Sequence, residues 1–247
     1  MKPYFLICLC LIAGILKAQP RYTVAQIHSH NDYQQANPFF GAYALQCGAI
    51  EADVYLQNGE LMVAHTPAEI RPERTLIQLY LQPLANQIQQ GKGYPLQLLI
   101  DLKTAAAPAL DTLLSQLRLF PMLTNPANGL KIVISGNMPA PPDFHKYPAW
   151  LFFDGRFSTV YSEAELARVA LFSMSFLSIG KWDEKEGLKP ETRDKINEWT
   201  QKAHQKGKKI RFWATPDTPT TWQELQTLGV DWIGTDKPQA LADFLKK

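Results

Sequence analysis

Short apolar runs alternate with longer amphipathic segments along most of this chain. The runs are rich in β-branched and aromatic residues and are bounded by turn residues, which predicts strands at 24–29, 49–56, 96–102, 131–136, 150–154, 174–179, 209–214 and 231–234. The segments between them favour helices. Because strands that alternate with helices form parallel βαβ units, this order predicts an α/β fold, a single (β/α)8 TIM barrel over residues 19–247.

The segment ETRDKINEWTQKAHQKG at 191–207 shows the helical pattern most clearly. Ile196, Trp199 and Ala203 have the spacing of a buried stripe, and acidic residues lie at the start of the segment. The Pro-rich piece MPAPPDFHKYP is typical of a loop and follows the fourth strand. Cys47 is expected late in a helix, as a small packing residue.

The first eighteen residues depart from this pattern. Lys2 precedes the apolar run FLICLCLIAGIL and the small Ala18, the layout of a cleavable secretory signal, and the run is too short to span a bilayer comfortably. We therefore expect a secreted or periplasmic protein whose mature chain retains only Cys47 and has no intrachain disulfide. The net charge of +2 gives no argument for a nucleic-acid or anionic-membrane partner, and we expect a monomer.

Polar residues collect where the predicted strands end, which is the face of a barrel that carries chemistry. His28 and His30 end the first strand, and Glu51 and Asp53 lie on one face of the second. Two carboxylates side by side in a barrel mouth repel each other, and each shifts toward its neutral form unless a cation compensates. A metal ion is the natural cation.

The third strand repeats the pattern with Asp101 and Lys103. Three carboxylates from adjacent strand ends form a hard oxygen site that suits Mg2+ or Ca2+ better than zinc. Lys103 can then pair with an anionic group of a small-molecule or lipid substrate.

Each of these residues also has a structural interpretation. His30, Asn31 and Asp32 are equally typical of a turn and an N-cap before a helix that begins at Asn37. His65 follows a predicted hairpin at QNGE; alone such a histidine is structural, but beside the carboxylates it is catalytic. His145 and His204 are expected on the surface.

Four segments, HSHND, GAIEADVYLQNGELMVAH, LLIDLK and GVDWIGTDKP, together resemble the PLC-like phosphodiesterase superfamily of glycerophosphodiester phosphodiesterases. Within it the resemblance is to the altered-inheritance-of-mitochondria-type branch, and IDLKT is also similar to sphingomyelinase D. The resemblance implies a barrel with one divalent cation on Glu51, Asp53 and Asp101, and His28 and His65 as the acid/base pair. It implies a metal-dependent phosphoric diester hydrolase that acts on a glycerophosphodiester or a phospholipid-type substrate.

The residues support that chemistry on physical grounds. A cation and Lys103 neutralise the charge of a phosphodiester, and two histidines that titrate near neutrality exchange protons with the nucleophile and the leaving group. Water as nucleophile gives a monoester and a substrate hydroxyl gives a cyclic phosphate; both stay open.

The chain departs from the family at its first motif. Glycerophosphodiesterases typically begin His-Arg-Gly, but Ser29 and His30 follow His28 here, so the arginine that contacts phosphate is absent from that position. Arg156, after LFFDG, and Lys181, after FLSIG, are candidates to replace it. His30 itself either binds phosphate when protonated or orients a metal ligand through a hydrogen bond.

Two other functions are compatible with the pattern. A metal-dependent amidohydrolase barrel also begins with His-x-His, but it needs further histidines at later strand ends. A non-catalytic secreted binding module on a degenerate barrel is the second alternative, and metal-dependent turnover of an aryl phosphodiester would distinguish it from an enzyme.

Overall fold

The structure is a computed structural model that describes residues 22–183 and 187–246. The predicted secretory signal at residues 1–18 lies outside these ranges. Within them the strands are β1 (Ile27–Ser29), β2 (Ala49–Gln57), β3 (Glu60–Val63), β4 (Leu96–Leu102), β5 (Leu130–Gly136), β6 (Leu151–Gly155), β7 (Val169–Ser175), β8 (Trp182–Asp183), β9 (Gly187–Leu188), β10 (Lys209–Trp213) and β11 (Trp232–Thr235).

Eight of these strands pair in parallel in the order β1-β2-β4-β5-β6-β7-β10-β11, and β11 pairs back with β1. In the closing pairs His28 lies opposite Gly234 on one side and Ala49 on the other. The predicted (β/α)8 barrel is therefore confirmed. Strands β8 and β9 form a separate antiparallel pair.

Helices of unequal length surround the barrel. They are α1 (Phe40–Ala44), α2 (Gln82–Gln89), α3 (Ala106–Leu117), α4 (Glu163–Ala167), α5 (Pro190–Gln205), α6 (Pro219–Thr227) and α7 (Pro238–Leu245). In α5, Ile196 and Ala203 are buried as predicted, while Trp199 is partly buried and packs against Phe157. No helix within the described ranges is both long and apolar enough to cross a membrane.

The predicted hairpin at QNGE is present and continues β2 into β3. Asn58 and Gly59 both have positive φ, at 51° and 80°, as a two-residue hairpin turn requires. Because Val63 pairs with Val54 and the Ala64 N–H donates to the Asp53 carbonyl, His65 is returned to the level of Asp53 in the middle of β2.

Three element boundaries differ from the prediction. Residues Val24–Gln26 form a 3-10 turn, so the first strand begins at Ile27. The predicted helix at Asn37 begins instead at Phe40, because Pro38 disfavours a helical conformation at the residue before it. Cys47 is buried, as expected of a packing residue, but it lies after that short helix and not within it.

The strand predicted at 174–179 was misplaced. Strand β7 spans Val169–Ser175, and a 3-10 turn at Phe176–Ser178 follows it. The apolar run continues through both elements, with Phe172 and Phe176 each buried, so periodicity alone did not locate the end of the strand.

Alternate residues of each barrel strand face the barrel interior. Their middle layer is an apolar cluster of Ala49, Leu99, Val133, Leu171 and Trp232, separate from the larger core between strands and helices. This inner cluster fills the barrel and leaves the polar residues at its two ends.

Candidate active site and metal centre

A cleft of about 590 Å³ opens at the carboxyl ends of the barrel strands. It is the face on which barrels carry their chemistry. The polar and aromatic residues that line it include His30, Glu51, Asp53, Tyr55, His65, Asp101, Lys103, Ser135, Arg156, Ser173, Arg211 and Trp213.

Three carboxylates converge at the floor of this cleft. Glu51 and Asp53 project from β2, and Asp101 lies opposite Asp53 in the β2–β4 register. Each offers an oxygen, and these oxygens all lie within 4.8 Å of one another. Glu51 and Asp53 are each only 3% exposed. The triad predicted from the sequence is therefore assembled in the structure.

Two protein cations partly neutralise the triad. Lys103 Nζ lies 2.9 Å from Asp53 Oδ2 and 3.2 Å from Asp101 Oδ1, and Arg211 Nη1 lies 2.5 Å from Glu51 Oε2. Burial alone would raise the pKa of Glu51, but Arg211 and the hydrogen bond to His28 outweigh it and hold that pKa well below its usual value. For Asp101, burial raises the pKa despite the opposing effect of Lys103, and Glu51 and Asp53 raise it further.

This arrangement fits a divalent cation. Three carboxylates against one lysine and one arginine leave a net charge of −1 among these five side chains. Within the described part of the chain, the hydrogen bonds of Glu51 fall on Oε2 and those of Asp53 on Oδ2, so the second oxygen of each is open to a ligand. An all-oxygen donor set of this kind suits Mg2+ or Ca2+.

His28 is fully buried beside the triad. Its Nε2 lies 2.7 Å from Glu51 Oε2 and also contacts Arg211 Nη1. Burial and then the positive charge of Arg211 outweigh the influence of Glu51 and lower the pKa of His28 to about 4, so the ring is neutral at pH 7. A neutral ring has one donor and one acceptor nitrogen, so Nε2 bonds either to Glu51 or to Arg211 at a given moment.

His65 lies at the open side of the cleft, with about half of its side chain exposed. Its Nδ1 lies 3.5 Å from Asp53 Oδ2 and 3.1 Å from the hydroxyl oxygen of Tyr33. That Tyr33 hydroxyl also lies 2.8 Å from Asp53 Oδ2. Tyr33 therefore links His65 to Asp53, a candidate metal ligand, and the sequence did not reveal this role.

His30 points into the cleft but contacts none of the three carboxylates through a hydrogen bond. Its Nδ1 instead lies 2.7 Å from Asp236 Oδ1, at the end of β11. Burial lowers the pKa of His30, but the hydrogen bond to Asp236 and the charge of Glu51 outweigh it, and the net shift is upward. The ring is thus more often protonated at neutral pH than a free histidine.

The neighbouring Asp32 has a structural role. It is buried and accepts hydrogen bonds from Ser29 Oγ, the Phe39 N–H and the Tyr80 hydroxyl, at 2.9, 2.6 and 2.9 Å. Asn31 adopts the left-handed conformation with φ of 46°. For these two residues the turn interpretation is the one that the geometry supports.

Of the two candidates to replace the missing arginine, only one reaches the cleft. Arg156 lines it and pairs with the buried Asp154 at 2.6 Å, a carboxylate that also accepts from Ser135 and Ser173. Lys181 is exposed and does not line the cleft, because β7 ends six residues earlier than Lys181 and a turn intervenes. The structure therefore does not bring Lys181 to the cleft.

Arg211, like Tyr33, is a residue that sequence reasoning missed. It is 3% exposed, faces the barrel interior from β10, and contacts both Glu51 and His28. The sequence did hold one indication of this role, since Arg211 is a charged residue in the middle of the predicted strand KIRFW. An inward side chain at that position has no access to bulk water and therefore needs a partner of opposite charge.

The remaining histidines lie elsewhere. His145 is exposed and bonds to the Pro142 carbonyl, and His204 is exposed on α5 and pairs with Asp231. Within the described residues neither lies at the cleft, so the histidine set of an amidohydrolase is not assembled there.

Comparison with known proteins identifies relatives of this chain. Residues 20–95, which include HSHND, Glu51, Asp53 and His65, match the family described as the AIM6-like phosphodiesterase domain. The chain is 27% identical to altered inheritance of mitochondria protein 6 of Eremothecium gossypii over 274 residues, covering 90% of this chain and 69% of that protein.

A homolog of the same protein from Arthroderma benhamiae is 27% identical over 260 residues, covering 88% of this chain and 83% of its own. The protein of that name from Kluyveromyces lactis is 37% identical over 73 residues, 28% of this chain. The predicted resemblance to the altered-inheritance-of-mitochondria-type branch is therefore confirmed, and the similarity to sphingomyelinase D stays a prediction.

Proposed function

From the likeness of this chain to the altered-inheritance-of-mitochondria-type branch of the phosphodiesterases, we propose that it is a metal-dependent phosphoric diester hydrolase. Its substrate is a glycerophosphodiester or a phospholipid-type diester. The observation that carries the proposal is the convergence of the carboxylate triad with three cationic side chains and two histidines, His30 and His65, in one cleft. His28 is buried beside the triad.

Glu51, Asp53 and Asp101 hold the cation in this proposal. When bound, a divalent cation neutralises the charge of the phosphate and stabilises the charge that develops in the transition state. Lys103, already anchored to both aspartates, contacts a nonbridging phosphate oxygen. Arg156, directly after β6, and Arg211, on β10, supply further positive charge. They take the place of the arginine that is missing from the first motif, HSHND.

His28 and His65 are the proposed acid/base pair, and their surroundings differ. His65 is half exposed and held by Tyr33 and Asp53, so it can reach a leaving group or a nucleophile directly. His28 is neutral and covered by Arg211, so it reaches the substrate only after Arg211 turns toward the incoming phosphate. An anionic substrate favours that movement because it attracts the guanidinium.

His30 binds the phosphate in this scheme. Its bond to Asp236, and the absence of a hydrogen bond from His30 to the metal carboxylates among the described residues, favour a cationic role over the orientation of a metal ligand. Trp213 is 43% exposed on the rim of the cleft and offers an apolar surface to the rest of the substrate.

The decisive experiment is a panel of phosphodiesters assayed with Mg2+, with Ca2+ and with chelator, with phosphorus NMR of the products. We expect metal-dependent turnover that Asp101→Asn abolishes and that the surface variant Lys202→Gln retains. A cyclic phosphate among the products identifies a substrate hydroxyl as the nucleophile, and a monoester alone identifies water. Absence of turnover on every diester, with metal still bound, would favour the non-catalytic binding module.

Export is a separate part of the proposal. The signal-like leader at residues 1–18 supports a secreted or periplasmic enzyme. Expression of the full chain followed by mass determination of the exported product tests it. Loss of the leader is the expected result, and a full-length protein retained inside the cell contradicts it.

A further inference from the structure

A second cleft, of about 530 Å³, opens at the opposite end of the barrel, where the strands begin. We call it the lower cleft and define it by the residues Gln97, Lys131, Phe152, Lys208, Lys209 and Trp232, all of which line it.

The lower cleft is separate from the catalytic one. On β4 the inward positions are successively Gln97 in the lower cleft, Leu99 in the apolar middle layer and Asp101 in the metal triad. Four residues of strand span about 13 Å, so a small ligand at Gln97 does not reach the carboxylates. A function of the lower cleft is therefore independent of the proposed hydrolysis.

The charge of the lower cleft is positive. It is lined by Lys131, Lys208 and Lys209 and, among the described residues, by no carboxylate. Burial and then the neighbouring Lys131 lower the pKa of Lys208. Burial and Lys131 also lower the pKa of Lys209, against an opposing effect of Asp231.

Asp231 offsets this charge only in part, because it acts on Lys209 but forms no ion pair with a lysine of the cluster in the described part of the chain. Its Oδ2 accepts from the Ile210 N–H at 2.9 Å and lies 2.8 Å from His204 Nε2. The three lysines therefore create a positive potential in the lower cleft, and the lowered pKa values of Lys208 and Lys209 reflect it. Such a potential favours the binding of an anion.

Aromatic rings hold two of the lysines at the cleft. Lys131 Nζ lies 4.9 Å from the centroid of Phe152, and Lys209 Nζ lies 4.1 Å from that of Trp232. Neither lysine has an ion pair to a carboxylate within 22–183 or 187–246. A ring contact leaves the ammonium N–H groups available as donors.

Two buried donors at the same cleft also lack partners. The side-chain amide nitrogen of Gln97 and the indole nitrogen of Trp232 are buried, each in a residue only 5% exposed, and neither makes a hydrogen bond in the described part of the chain. Buried donors are nearly always satisfied, so two in one cleft require an explanation.

We propose that the lower cleft binds an oxyanion of the phosphate class. The lysines supply the charge, and the Gln97 amide and the Trp232 indole supply hydrogen bonds that the protein alone leaves unmade. A tetrahedral oxyanion accepts from several directions at once, which matches donors contributed by four separate strands, β4, β5, β10 and β11.

The test follows the indole N–H signal of Trp232 in 15N-labelled protein during a titration with inorganic phosphate, at an ionic strength held constant with chloride. Trp232→Phe assigns the signal. We expect a saturable shift whose apparent Kd rises on the order of tenfold in Lys131→Gln/Lys209→Gln, since each removed charge weakens anion binding. Lys131→Gln alone, at an exposed position, serves if the double variant does not fold.

Lys202→Gln is the matched control. Lys202 Nζ lies 4.2 Å over the ring of Trp199 on α5, so the variant removes the same type of lysine–tryptophan contact outside the cleft. It should bind phosphate as the parent does. A shift that is linear, that acetate reproduces equally, or that persists unchanged in the lysine variants overturns the proposal.

Discussion

At the scale of single residues, Arg211 is a buried cation in the cleft at the carboxyl ends of the strands. It lies between Glu51 and His28, and it is as deeply buried as the carboxylate with which it pairs. Burial lowers the pKa of Arg211, but Glu51 and Asp154 outweigh that effect, so the guanidinium stays charged. This buried cation compensates part of the negative charge of the triad, and under the proposed function it would also be available to phosphate.

Replacing Arg211 with Met should therefore affect both stability and turnover. Glu51 loses its buried partner, so the free energy of unfolding of the metal-free protein should fall by roughly 3–5 kcal/mol. Saturating Mg2+ or Ca2+ should recover part of that loss, and turnover should drop on the order of 100-fold. Chemical denaturation with and without metal measures the first effect. Equal stability of Arg211→Met and the parent without metal would contradict the role of this pair.

His65 gives a second prediction. His65→Asn should remove most turnover and leave the melting temperature unchanged, because the side chain is half exposed. The double variant with His28→Asn should lose little more than the worse single variant, since paired groups are not additive. His145→Asn, at an exposed histidine outside the cleft, is the control. Full activity of His65→Asn would remove it from the mechanism.

His30 gives a prediction about pH. Because its pKa is raised, His30 is protonated below that pKa and loses its charge as the pH rises through it. If the charged ring binds phosphate, KM should increase as the pH rises through the pKa of His30, and kcat should change less over the same pH range. In His30→Gly this dependence should vanish at unchanged metal affinity. A fall in metal affinity with the pH dependence of KM retained would assign His30 to the orientation of a metal ligand instead.

At the scale of elements, the end of β5 shapes the carboxylate triad. Gly136 has φ of +70°, and a Cβ there would lie 2.2 Å from Asp101 Oδ1 and 2.5 Å from the Leu102 carbonyl oxygen. Asp101 lies opposite Ser135 in the β4–β5 register, so the glycine provides the space in which the carboxylate turns toward the triad.

Gly136→Ala should lower the free energy of unfolding by roughly 3 kcal/mol and weaken metal binding, because the backbone strain adds to a clash with Asp101. Gly91→Ala is the matched control, since Gly91 has the same φ of +70° and nothing within 4 Å of the added Cβ. It should cost roughly 1 kcal/mol and leave metal affinity unchanged. Denaturation and metal titration of both variants check this, and equal effects would show that strain alone matters.

At the scale of the whole molecule, the metal should stabilise the barrel. The candidate ligands Glu51 and Asp53 lie on β2 and Asp101 lies on β4, so an ion held by these carboxylates would link two adjacent strands at the barrel mouth. Binding to the folded state alone adds roughly 2.7 kcal/mol at a free metal concentration a hundred times Kd.

Chelation should thus abolish activity and lower the melting temperature, and added Mg2+ or Ca2+ should restore both. Asp101→Asn should lose the metal dependence of the melting temperature, because it removes a ligand. A melting temperature unchanged across a titration to high metal concentration would count against the site.

The sequence by itself determined the features that depend on local order. Alternating strands and helices predicted the barrel, the period of two placed Glu51 and Asp53 on one face, and QNGE located the hairpin that returns His65. Boundaries inside long apolar runs were misplaced, as at β7, because hydrophobicity does not mark where a strand ends and a turn begins.

Only the tertiary structure decided which distant side chains meet. Arg211 pairs with Glu51 across 160 residues, and His30 pairs with Asp236 across 206. Closure of the barrel sets β11 beside β1 and β10 next to it, so the last strands reach the first histidines. Such long-range pairs have no periodicity in the chain, because the attraction between their charges acts only once folding brings them together. For the buried Glu51–Arg211 pair, that attraction offsets the cost of removing both charges from water.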